Sequence, residues 1–178
     1  MTAMLHSRRP LRLAAALCLA LLAACGGGDA GGAADDAPLP EGFTTLPASA
    51  RVPVAQAAER RCNSPSSRSV FRQPIEWESF WGVNPGCTPP ALPPGMDWQK
   101  EMLVLAAMGK RKSAQERIEI VGRGEKGDTL MVLVRRTTLV AGCPDEGAEV
   151  YPVSVVRIPQ DERRVRFLEE RRRIPCGG

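Results

Sequence analysis

Residues 102–108 read Met-Leu-Val-Leu-Ala-Ala-Met, an unbroken apolar run closed by Gly109. Seven residues are far too few to cross a bilayer as a helix, which takes about 20. A strand with one wet face would alternate polar and apolar positions, so the continuous run predicts a central, buried strand. Any fold for this chain has to supply that strand with a core. The polar lead-in, Asp97-Trp98-Gln99-Lys100-Glu101, reads as a turn whose first residue caps it by accepting bonds from free backbone N–H groups. A catalytic pairing of Asp97 with Glu101, four residues apart, explains less than this cap does. Gly109-Lys110 is not a phosphate loop, because Val104 and Arg111 stand where that motif requires a second Gly and a Ser or Thr.

The rest of the chain is read around this strand. Val70-Phe71 could open a short edge strand. Pro74 suits the first position of a helix, and Trp77, Phe80 and Trp81 then share one face, a pattern of core packing. Residues 84–95 hold five prolines and form a non-regular loop. Arg117–Val121 alternates, residues 122–128 are turn-like, and Thr129–Thr138 is strand-like, so residues 117–138 predict a β-hairpin. Val150–Ile158 and Arg164–Leu168 add two more strands. The expected fold is α+β: a small, mostly antiparallel β-sheet of about five strands with one short Trp-rich helix.

The N-terminus has a different character. Arg8, Arg9 and Arg12 precede a Leu/Ala stretch that ends at Leu22-Ala23-Ala24-Cys25, which is the layout of a secretory signal. Its end resembles the bacterial lipobox, in which the cysteine is lipidated and becomes the mature N-terminus. Residues 1–24 are thus expected to be a lipoprotein signal peptide with Cys25 as the lipidation site. Residues 25–59, rich in Gly, Ala and Pro, are expected to be a flexible tether, and residues 60–178 the folded domain. Gly26, rather than Asp, follows the cysteine, and by the sorting rule for such lipoproteins this implies the outer membrane of the cell envelope.

Charge and composition then exclude several functions. The net charge of +4 includes three arginines of the signal; residues 60–178 carry about +5, well short of a nucleic-acid footprint. The only histidine is His6. Without another, Ser-His-Asp and Cys-His systems and histidine metal sites are all unavailable beyond the signal. The remaining cysteines, Cys62, Cys87, Cys143 and Cys176, have no CxxC spacing. In an exported domain they read as two disulfides rather than a zinc site. Of three possible pairings, Cys62–Cys176 and Cys87–Cys143 are favoured, tying the domain ends and two Pro/Gly-rich loops. No catalytic residue, metal or cofactor is expected. The arginines at 163, 164, 166 and 171–173 are interleaved with Glu162, Glu169 and Glu170 and read as a solvated face, with a docking edge as the alternative.

The order of segments resembles the C-terminal domain of the PrcB-like family, lipoproteins associated with secreted bacterial proteases. The resemblance lies in Trp77 and Trp81, the Asp97–Glu101 lead-in with its strand to Gly109, and the stretch Tyr151-Pro152 to Val155-Val156 and Pro159. The family's Thr-Gly-Gly-Tyr turn is replaced here by Lys112–Glu116, and a common His by Ser154. The resemblance implies a non-catalytic, lipid-anchored module that binds or stabilises another exported protein, a protease in the family's case. Lys110, Arg111, Lys112, Ser113 and Gln115, where the glycine turn is missing, become the candidate partner-binding residues. The alternative is an envelope small-ligand or polymer binder using Trp77, Trp81 and Trp98.

Overall fold

The structure is a computed structural model that describes residues 38–54, 66–82, 90–144, 147 and 149–176. Its central strand is β4 (Glu101–Ala107), paired antiparallel on one side with β3 (Ser67–Phe71) and on the other with β7 (Val153–Pro159). β2 (Arg51–Val52) adds to the far side of β7, giving the order β2-β7-β4-β3. A second sheet has the order β1-β5-β6-β8, from β1 (Phe43–Thr45), β5 (Arg117–Glu125), β6 (Thr129–Leu139) and β8 (Arg164–Ile174).

Successive side chains of a strand point to opposite faces, and β4 uses both. Met102, Val104, Ala106 and the following Met108 pack with Ile118, Ile120, Leu130, Val132, Val134, Val156 and Ile158 in the core between the sheets. Leu103, Leu105 and Ala107 pack the other way, with Val52, Phe71, Val155 and the tryptophans of helix α1 (Pro74–Gly82). The molecule therefore has three layers: helix, sheet, sheet. Each apolar residue of the run meets an apolar layer, which is why the run shows no alternation.

The helix layer is built as the sequence predicts. Pro74 starts it, and the Glu76 carboxylate accepts the backbone N–H groups of Arg72 (2.5 Å) and Gln73 (3.2 Å), meeting donors a helix start leaves unpaired. Trp77 stands edge-on to Phe71 and Trp81, and Phe80 to Phe71 and Trp81, with ring centroids 5.2–5.3 Å apart. Edge-to-face pairs of this kind add to the area term of burial.

The α+β class and the antiparallel majority agree with the sequence reading, but four expectations need correction. First, there are eight strands in two sheets among the described residues, because a strand buried on both faces needs a layer on each side. Second, residues 38–54, inside the expected tether, already belong to the fold. The later part of the expected tether supplies β1 and β2, with Val52 in the core and turns closed by Phe43 N–H to Pro40 O and Ala50 N–H to Pro47 O. Third, residues 122–125 are strand, not turn. Only Gly127-Asp128 turns the hairpin, between reciprocal bonds of Lys126 and Thr129, with Gly127 at φ +56°. Gly122 and Gly124 are there for close approach. A Cβ on Gly122 would lie 2.8 Å from a Leu39 methyl, and one on Gly124 would lie 2.4 Å from the Gly42 carbonyl oxygen.

Fourth, Cys143 is bonded to Cys176, with Cα atoms 5.3 Å apart. This replaces both favoured pairings; Cys62 and Cys87 lie outside the described residues. The reason is the course of the last strands. After β6 the chain crosses to β7 in the other sheet and returns as β8, parallel to β6 and in register from Thr129/Arg164 to Leu139/Ile174. Parallel strands end side by side, and Val140 N–H to Ile174 O continues the ladder by one bond, leaving Cys143 and Cys176 adjacent.

Two measurements check this account. Gly124→Ala should destabilise the fold by about 2–3 kcal/mol, since the clash is with backbone. Gly82→Ala, where a Cβ meets nothing within 4 Å, should be neutral or stabilising by up to about 1 kcal/mol; equal losses in urea melts would refute the close-approach reading. Non-reducing peptide mapping should yield the Cys143–Cys176 crosslink, and its removal by double Ser substitution should cost about 3–4 kcal/mol.

Candidate functional site

The segment that joins β4 to β5 carries the five residues singled out in the sequence. Gly109 at φ +73° turns the chain out of β4. Arg111 then forms a reciprocal backbone bridge with Val150 (2.8 and 3.1 Å), and its guanidinium donates to the Met108 carbonyl at 3.1 Å. Ser113 is buried, 3% exposed; its hydroxyl accepts the Gln115 N–H at 3.1 Å and its carbonyl accepts the Glu116 N–H at 3.2 Å. This serine turn holds the backbone by a side-chain acceptor. Gln115 is half-buried and Lys112 exposed.

Lys110 is exposed and ion-paired with Glu149, whose other oxygen accepts the Tyr151 hydroxyl at 2.5 Å. The hydrogen bond to Glu149 raises the Lys110 amine above the ordinary lysine range. The five residues thus stay together in space, but Arg111 and Ser113 spend their polar groups on holding a crossover between the sheets. Lys110 and Lys112 are the two that face solvent. The Ser154 hydroxyl accepts the Ile120 N–H at 3.1 Å and ties β7 to β5 across the sandwich.

The tryptophans are placed differently from one another. Trp77 and Trp81 are 1% and 0% exposed, so neither offers a ring face to a ligand. Trp98 packs partly against the same cluster and borders a cleft of about 400 Å³ with Arg72, Gln73, Gln99 and Gln160. Asp97 behaves as a cap: it accepts the Gln99 N–H at 3.0 Å and pairs with Lys100 at 3.0 Å. Those bonds, that from Lys100 foremost, lower its carboxyl below the ordinary range. Among the described residues no group of three or more His, Cys, Asp or Glu side chains is arranged to hold a metal ion. Cys25, Cys62 and Cys87 lie outside the described residues.

The densest electrostatic structure is on β8, whose alternating pattern marks it in the sequence only as far as Leu168. The strand runs on to Ile174 as the outer strand of its sheet. Arg68 and Arg136 share Glu169, the latter at 3.2 Å. Arg135 and Arg172 share Glu170 at 3.1 and 3.0 Å. Arg135 is only 3% exposed, so its charge depends on such partners. Arg164, Arg166, Arg171 and Arg173 are exposed along the same strand. Nearby, Phe43, Met131 and Leu168 with Arg166 and Lys126 border a groove of about 270 Å³ on the outer face of this sheet.

Burial pushes the Glu169 and Glu170 carboxyls up, but the guanidinium groups more than reverse this. Arg136 and Arg68 act on Glu169, and Arg172 and Arg135 on Glu170, leaving both below the ordinary glutamate range. A folded value lowered in this way gives stability that is complete above the unfolded value, about 4.3, and is lost as pH falls through the folded values. The midpoint of thermal unfolding should therefore drop between about pH 5 and pH 3. Replacing both residues by Gln should destabilise by about 1–2 kcal/mol at pH 7, discounted for their partial exposure, and flatten that drop. An unchanged pH profile in the double variant would show that these pairs do not contribute.

The chain matches no family model, no curated protein and no solved structure.

Proposed function

We propose that this chain is a non-catalytic, lipid-anchored accessory module that binds or stabilises another exported protein. Its anchor is the lipidated Cys25, and its place is the outer membrane of a bacterial envelope. The resemblance of its segments to PrcB-like lipoproteins makes a secreted protease the first partner to test. The observation that carries the reading is the outer edge of β8, eleven residues long, lined with exposed arginines and paired with no further strand among the described residues. Long sheet edges are templates for pairing with another chain, and a module with one such edge is suited to binding rather than to turnover. The lack of any histidine beyond His6 supports the non-catalytic part.

Two experiments test it. Cys25→Ser should move the chain from the membrane fraction to the soluble fraction and abolish incorporation of labelled fatty acid. Affinity purification of the mature chain from detergent-solubilised envelope should recover one exported protein in near-stoichiometric amount. Recovery of nothing above the level of a tag-only control would overturn the accessory role.

A further inference from the structure

We infer that the outer edge of β8 takes up an extended segment of the partner as an added strand, and that this segment carries carboxylates at both ends. This rests on the binding-module reading and specifies its site and chemistry. Half of the backbone N–H and C=O groups of an outer strand point away from its sheet, and each seeks a partner. β8 is eleven residues long, about twice a typical strand length. The edges of the two sheets otherwise consist of β1, β2 and β3, of three, two and five residues.

The charge on this edge is unbalanced in a particular pattern. The two carboxylates of the strand are taken, Glu169 by Arg68 and Arg136 and Glu170 by Arg135 and Arg172. The guanidinium groups of Arg164, Arg166, Arg171 and Arg173 have no ion pair or hydrogen bond among the described residues. Free cations thus flank the strand at both ends, around the apolar pair Phe167-Leu168. Side chains directly opposite on paired strands interact, and opposite charges there stabilise. An incoming strand complements this edge when acids stand at its ends and uncharged residues at its centre.

The probe is the peptide Glu-Val-Glu-Thr-Val-Thr-Thr-Glu-Val-Glu, whose acids fall opposite the four arginines in antiparallel register. Titrated into the mature chain, it should bind at least about tenfold more tightly than two controls. One control has Lys in place of each Glu; the other has Pro in place of the two central adjacent Thr residues, keeping the charge but preventing strand pairing. The Arg166→Glu/Arg171→Glu variant, at exposed positions and checked for an unchanged melting midpoint, should lose the acidic peptide and gain the Lys peptide. No binding of the acidic peptide, or equal binding of the Pro peptide, overturns the inference. If the Arg166→Glu/Arg171→Glu chain still recovers its partner from envelope extracts, the module reading stands and the β8 assignment falls.

Discussion

The two-sided burial of β4 is the constraint on which the rest of the structure depends. Met102, Leu103, Val104, Leu105, Ala106 and Ala107 are each 0% exposed. At about 25 cal/mol per Å² of apolar surface removed from water, full burial of a residue such as Leu or Val contributes about 1.5–3 kcal/mol. That contribution exists only if both faces of the strand are covered. One face requires the second sheet, and the other requires the helix with its two buried tryptophans. The loops that cross between layers then have to be short and well held, which accounts for the serine turn after Gly109 and the Ser154 bond to Ile120.

Elements whose own side chains announce their environment were legible in the sequence. The β4 run, the alternation of Arg117–Val121, the Thr129–Thr138 strand and the Trp77/Phe80/Trp81 face all carry a periodic signal set by burial. β1 and β2 carry none, because strands of three and two residues are shorter than any period that could be recognised. They lie in a Pro- and Ala-rich stretch whose composition argues for a linker, and they are strands because a neighbouring edge supplies their hydrogen bonds.

The misread glycines have the same cause at smaller scale. Gly122 and Gly124 look like turn residues, yet they are strand residues that make room for Leu39 and Gly42, and close approach by a distant segment leaves no local mark. The disulfide pairing depends on which strands run parallel, a property of the whole topology. For the candidate site, the sequence pointed to solvent-facing Lys110 and Lys112, while the mixed signs of residues 162–173 hid how unevenly the charges are shared. Two glutamates satisfy four arginines, three of them from other strands, and that sharing becomes visible only when β3, β6 and β8 come together.

The recruitment of Phe43–Thr45 and Arg51–Val52 into the two sheets has a consequence for cutting the chain. A piece begun at residue 60, where composition suggests a boundary, would lack Val52 from the helix-side core and would leave the hydrogen-bonding edges of β5 and β7 bare. The close approaches that keep positions 122 and 124 as glycine would be empty as well, since Leu39 and Gly42 make them. A boundary drawn by composition would thus convert edges that the chain covers itself into sites of aggregation.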